Sequence, residues 1–176
     1  VWSIANEPNI SNIWLQPKPP SVPLLKRLAA LSREEDPSRP PVLASCCGTL
    51  PGSLMPTTPG QILDSPPEAV DVFGVNAYFG WYYADVAGLS AYLDEVHAFY
   101  PTKAFGVTEY GAGGALSQHT DNPLGGPVIA GGRPHPEGFQ SYIHEKAWPQ
   151  LRDKPYLWGS WLWNMFDFGT AIRMEG

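Results

Sequence analysis

Ala104-Phe105-Gly106-Val107-Thr108-Glu109 is a short, almost wholly apolar run that stops on a carboxylate. It does not alternate between apolar and polar residues, so both of its faces are suited to burial. Three other runs have the same character: Val1-Trp2-Ser3-Ile4, Val42-Leu43-Ala44-Ser45-Cys46-Cys47 and Asp71-Val72-Phe73-Gly74-Val75-Asn76. A fifth covers Leu157 to Phe166. Between them lie segments with apolar residues at helical spacing. These are Leu24 to Glu34 with Pro23 in the first turn, Leu89 to Tyr100 with Ser90 as a cap, and Gly138 to Leu151. Residues 48–67 and 111–138 are rich in Gly and Pro and read as long loops. Strands buried on both faces and alternating with helices predict an α/β fold with a parallel sheet, either doubly wound or a (β/α)8 barrel. The long loops follow strands, which is where barrels build their sites. Five strands are visible where a barrel needs eight, so the chain is expected to be a segment of a longer protein.

Composition narrows the partners. The chain has 176 residues, 43% of them hydrophobic and 12% aromatic, which is enough for a core. Eleven Lys and Arg stand against 17 Asp and Glu, a formal net charge of -6. That acidic balance argues against nucleic acid and anionic membrane as partners. No apolar run reaches the roughly 20 residues of a membrane span. Cys46 and Cys47 are adjacent, a spacing that rarely bridges, so no disulfide framework is expected. The four histidines (His97, His119, His135 and His144) are scattered, and no metal-ligand spacing is present. No cofactor is evident, and the sequence offers no support for a divalent metal such as Mg2+.

Two acids close apolar runs: Glu7 follows Asn6 at the end of the first strand, and Glu109 ends the fourth. A carboxylate there is costly unless it is paired or at a rim. Both sit among Trp, Tyr and Asn. Two carboxyl groups of this kind suit glycoside hydrolysis with retention, where one donates a proton and the other attacks the anomeric carbon.

Four blocks carry a specific resemblance. They are Trp2-Ser3-Ile4-Ala5-Asn6-Glu7-Pro8, Val75-Asn76-Ala77-Tyr78-Phe79-Gly80-Trp81-Tyr82, Thr108-Glu109-Tyr110-Gly111-Ala112 and Trp163-Asn164-Met165-Phe166-Asp167-Phe168. In this order they resemble glycoside hydrolase family 2, the β-galactosidases, β-glucuronidases and β-mannosidases, across essentially the whole chain. The resemblance implies the C-terminal portion of a TIM barrel, about strands four to eight, with flanking β-sandwich domains lying elsewhere in the parent protein. It implies that Glu7 is the acid/base and Glu109 the nucleophile. Asn6 would bond the sugar 2-hydroxyl. Tyr78 would donate to Glu109 and keep it ionised and aimed, with Asn76 supporting that arrangement. Trp163 would be the platform under the sugar, and Trp81 and Tyr82 would line the rim.

Among the other acids, Glu34, Glu35 and Asp36 read as a solvated run, and Asp94, Glu95 and Glu145 as exposed helix positions. Asp167 reads either as a third site carboxylate or as a loop stabiliser. His119 and His135 lie in the long loop after Glu109, from which either could reach the sugar, but both are expected at the surface. The wording of the last block and Asn122-Pro123-Leu124-Gly125-Gly126 look more like bacterial β-galactosidases, so the expected substrate is a β-linked galactoside or another small glycoside. β-Glucuronidase and β-mannosidase are the alternatives. The Asn-x-Lys motif that grips a uronate in the family comes shortly after the Trp163 block, and the chain ends at Arg173-Met174-Glu175-Gly176. A non-catalytic sugar-binding barrel is the reading from another class, and the intact pair of glutamates argues against it. The parent is compatible with a homo-oligomer and with a bacterial cytoplasmic or periplasmic location. The isolated segment is expected to fold poorly and to be inactive, because its edge strands would lie unpaired.

Overall fold

The computed structural model describes residues 1–8, 21–46, 66–125 and 135–168. It contains five strands, β1 (Trp2–Asn6), β2 (Pro41–Cys46), β3 (Val72–Asn76), β4 (Ala104–Tyr110) and β5 (Leu157–Leu162). Three helices, α1 (Val22–Glu35), α2 (Leu89–Phe99) and α3 (Glu137–Arg152), separate them. The strands form one sheet in the order β1-β2-β3-β4-β5. β1 pairs with β2 and β2 with β3 in parallel. A register shift between Ser3 and Ala5 interrupts the first pairing. This is the α/β alternation that the apolar runs predict.

The chain divides into two compact units. The first comprises Val1–Asn76, Glu95–Thr108 and Tyr156–Gly159. Its core is the fully apolar centre of the sheet: Leu43, Phe73, Val75, Phe105 and Val107 are all inaccessible to solvent. The Phe73 ring stacks on Phe105 at 5.5 Å and meets Tyr100 edge-on at 5.1 Å. α1 covers this layer with Leu25 and Ala29, and Pro23 sits in its first turn, where a missing N–H costs nothing. Gly106 is dictated by packing, because a Cβ there would stand 2.7 Å from the carbonyl oxygen of Gly159. Gly106→Ala should therefore destabilise the full-length protein by about 1–3 kcal/mol, the usual result of overpacking. A denaturant midpoint equal to the parent's would show that β4 and β5 have room to spare.

The second unit comprises Ala77–Asp94, Glu109–Pro155 and Ser160–Gly176. α3 anchors it through buried Phe139, Ile143, Ala147 and Leu151. The aromatic stretch after β3 folds into a tight turn in which Gly80 donates to Tyr83 and Trp81 to Tyr78. Gly80 has φ +82, and a side chain there would also strike Ile143, so only glycine fits.

Several expectations shift at element ends. β4 runs one residue further than expected, through Tyr110, so Glu109 is its penultimate residue and not its last. Ser90 does not cap α2. The chain enters that helix through a 3-10 turn, Val86–Gly88, whose cap is Asp85, accepting from the Ala87 amide at 2.8 Å. The Ser90 amide is taken by the Gln150 side chain instead, at 2.9 Å. β5 stops at Leu162 and not at Phe166, and residues 163–168 are exposed. Cys46 is disulfide-bonded, against the expectation from the adjacent pair. Cys47, Gly126, residues 48–65 of the first expected loop and the terminal Arg173–Gly176 lie outside the described residues.

Candidate active site

The first unit presents Glu7 in an unusual backbone conformation. Its amide is held by the Ala44 carbonyl at 2.8 Å, which extends the β1–β2 ladder by one residue. Its φ is +48, in the left-handed region that non-glycine residues seldom occupy. Such strain costs of order 1–3 kcal/mol and persists only where surrounding contacts impose it, commonly at ligand and catalytic sites.

Asn76 supplies those contacts. It is fully buried at the end of β3. Its carbonyl oxygen accepts from the Thr108 hydroxyl at 2.7 Å. That acceptor role orients the amide, so its nitrogen donates to Glu7 Oε1 at 2.8 Å and to Asn6 Oδ1 at 3.1 Å. The expectation placed Asn76 behind Tyr78 and Glu109. The geometry places it behind Asn6 and Glu7, because an inward-facing residue on β3 meets the end of β1 within the same unit. Thr108 was not singled out in the sequence, although its position next to Glu109 on a strand marks it as facing the opposite way.

In the second unit, Tyr78 donates its hydroxyl to Glu109 Oε2 at 2.7 Å. The main chain locks the pair together, with the Ala77 amide on the Glu109 carbonyl at 2.8 Å. The Tyr78 amide is itself held by the Tyr83 hydroxyl at 2.9 Å, and the ring meets Tyr82 edge-on at 5.0 Å. Glu109 is half-buried, and the phenol aims one of its oxygens. Trp163 continues the arrangement, its amide donating to the Tyr110 carbonyl at 3.0 Å.

A cavity of about 570 Å3 opens in this unit. Tyr78, Trp81, Tyr82, Trp163 and Asp167 are among its lining residues. Trp163 is half-exposed. Trp81 is only 3% exposed, so it is a wall and not a rim residue. Gly113 makes room for its indole, since a Cβ there would lie 3.2 Å from the ring. Tyr82 does sit at the rim, 36% exposed. Gln140 and His144 of α3 also line the cavity, and the sequence reading attached no role to either. Burial pushes the His144 imidazole below its usual value, favouring the neutral ring.

The remaining candidates scatter. Asp94 pairs with Lys154 at 2.6 Å, and Glu145 is exposed. His119 is exposed and meets Glu137 at 3.2 Å. His135 is 6% exposed, against the surface expectation, and its amide is held by Gln118. Among the described residues no group of three or more His, Cys, Asp or Glu gathers to hold a metal ion. No helix there is long and apolar enough to cross a membrane.

No family model matches the chain. It is 37% identical over 155 residues to a β-glucuronidase of Bacteroides fragilis, an alignment covering 88% of this chain and 20% of that protein. Its fold matches an FMN-binding β-glucuronidase of Faecalibacterium prausnitzii with a TM-score of 0.74 and 31% identity, covering 99% of this chain and 24% of that one. It also matches a provisionally named β-galactosidase of Bacteroides fragilis with a TM-score of 0.77 and 30% identity, covering 99% and 23%. The chain thus spans about a fifth to a quarter of the length of these proteins.

Proposed function

The chain belongs to glycoside hydrolase family 2, and from that premise we propose that it carries both catalytic carboxylates of a retaining β-glycosidase that acts on β-D-glucuronides. The observation that carries this reading is that each strand-end glutamate is gripped by a side-chain donor from the end of β3 or just beyond it. Asn76 holds Glu7 at 2.8 Å and Tyr78 holds Glu109 at 2.7 Å. In the proposed reaction Glu109 attacks the anomeric carbon while Glu7 gives its proton to the departing glycosidic oxygen. A glycosyl ester on Glu109 results. Glu7, now ionised, takes a proton from water, which displaces Glu109 and releases the sugar with its configuration retained. Asn6 bonds the 2-hydroxyl, and Trp163 stacks under the ring.

The parallel, helix-separated sheet supports a further proposal: β1 to β5 are strands four to eight of a (β/α)8 barrel completed by the rest of the parent chain. The choice of glucuronide over galactoside rests on the names of the 37% relative and of the 31% structural neighbour. The expectation of a galactosidase keeps the support of the second structural neighbour's name and of the Trp163–Phe168 wording.

The full-length protein should be assayed on matched nitrophenyl β-glucuronide, β-galactoside and β-mannoside. The expected kcat/KM for the glucuronide exceeds the others by about 10^3-fold or more, as for sites that pair a buried polar group with the substrate. A reversed order between the first two would make this a β-galactosidase.

A further inference from the structure

Gly74 and Asn76 stand two residues apart on β3, so they belong to the same face of the sheet. One side chain of the neighbouring β4, that of Thr108, meets both. Gly74 is buried, and Thr108 fills the space that a side chain there would need. A Cβ at Gly74 would stand 2.5 Å from the Thr108 hydroxyl oxygen and closer still to its methyl group. A β-branched side chain has few χ1 wells, and here the methyl arm is seated where any residue larger than glycine would expel it. The other arm, Oγ1, is thereby aimed at Asn76 and donates to its Oδ1 at 2.7 Å.

Asn76 is fully buried, so both ends of its amide need partners. The nitrogen has two hydrogens, which reach Glu7 Oε1 at 2.8 Å and Asn6 Oδ1 at 3.1 Å. Turning the amide over would bring its oxygen to Glu7, where it could not donate to the carboxylate. The Thr108 hydroxyl weighs against that turn, and against any drift that would strand the buried Oδ1 without a donor. Gly74, Thr108, Asn76 and Glu7 thus form one chain of contacts, and all four lie within the first unit.

We propose that Thr108 is a positioning residue for the acid/base: seated against Gly74, its hydroxyl holds the Asn76 amide in the orientation that donates to Glu7. This rests on the glycosidase reading above and extends it to a residue that acts on Glu7 through Asn76. Without the hydroxyl, the Asn76 oxygen loses a donor, and the amide shifts to regain one and releases Glu7.

The test uses the full-length protein and two glycosides of the sugar it hydrolyses best, one with methanol and one with 2,4-dinitrophenol as the leaving group. Only the first needs a proton from Glu7 to depart. Each variant is referred to the parent on the same substrate. The contact of Asn76 with Asn6 serves both glycosides, so it cancels in the ratio of their kcat/KM values. Thr108→Val keeps the shape and removes the hydroxyl, and it should lower the methyl-to-dinitrophenyl ratio by about tenfold, the scale of one hydrogen bond. Thr108→Ser keeps the hydroxyl but loses the methyl group seated on Gly74, so its ratio should fall between those of Thr108→Val and the parent. A role in packing alone, or a disturbance passed along β4 to Glu109, would lower both substrates alike. An unchanged ratio in Thr108→Val, or a ratio in Thr108→Ser no better than that, would overturn the assignment and leave the glycosidase reading intact. Should Thr108→Val not fold, Thr108→Ala decides by the same ratio, since it removes the hydroxyl and adds no bulk. A parent protein that hydrolyses no β-glycoside would instead remove the glycosidase reading, and the positioning role with it.

Discussion

Glu109→Gln in the full-length protein should lower kcat by about 10^4-fold or more, the scale seen when a covalent nucleophile is removed. The amide is isosteric and still accepts a hydrogen bond from Tyr78, so stability and substrate binding should change little. What disappears is the charge that forms the bond to the anomeric carbon. Glu109→Ala sharpens the test. It vacates the space beneath the sugar, and a small anion such as azide can enter and attack from that face. Azide should then restore turnover of an activated aryl glycoside and give a glycosyl azide of inverted configuration, visible by proton NMR. Water added to the parent enzyme's reaction should instead give the sugar first as the β anomer. A Glu109→Ala protein with parental turnover and no azide product would remove Glu109 from the mechanism. Tyr78→Phe separates charge from aim: it keeps the carboxylate but frees the oxygen that the phenol holds at 2.7 Å, so its loss should be much smaller than that of Glu109→Gln.

The strands were legible because their burial is written in composition. A run such as Ala104–Val107 has no polar face to offer, and its central residues Phe105 and Val107 are inaccessible to solvent. Both glutamates were legible because each breaks such a run. What sequence could not settle was which neighbour serves which acid. Asn76 and Tyr78 lie two residues apart, yet one holds Glu7 and the other Glu109. Inward-pointing residues at a strand end choose partners by register, and register is a property of the sheet.

The cavity wall was the least visible part. Gln140 and His144 form an i,i+4 pair beside the buried Phe139, Ile143 and Ala147. On a helical wheel that pair borders the core stripe, a signal that was present but ambiguous, because a polar border residue faces solvent unless another element covers it. Here residues 111–117 supply the cover. Trp81 was misplaced for a related reason. Its aromatic neighbours suggested a rim, while the room that buries it comes from Gly113, thirty-two positions away. Residues 163–168 went the other way: their apolar composition reads as a strand, but it belongs to an exposed segment that lines the cavity.

Glu7→Ala should divide substrates by their leaving groups. For an alkyl glycoside, whose departing alkoxide needs a proton, kcat/KM should fall by about 10^3–10^4-fold, the full range of general acid catalysis. For an aryl glycoside with a strongly acidic phenol, bond cleavage needs little help, and the first step should be nearly spared. The second step still lacks its base, so glycosyl-enzyme should accumulate and a burst of phenol should precede a slow steady state. The structure adds a control specific to this protein. Asn76 is fully buried and its amide reaches Glu7, so Asn76→Ala leaves the acid present but no longer held. It also strands the Thr108 hydroxyl that Asn76 accepts from at 2.7 Å, which costs stability on its own account. Asn76→Asp keeps that acceptor and replaces the donor with a second carboxylate beside Glu7. A neighbouring negative charge disfavours ionisation of an acid. The alkaline limb of the pH profile, which follows loss of the Glu7 proton, should then shift upward in Asn76→Asp, while Asn76→Ala lowers kcat/KM on alkyl and aryl substrates without that shift. Equal effects of Glu7→Ala on alkyl and aryl glycosides would mean that the proton comes from another group, and that the left-handed backbone at Glu7, with φ +48, serves only the turn after β1.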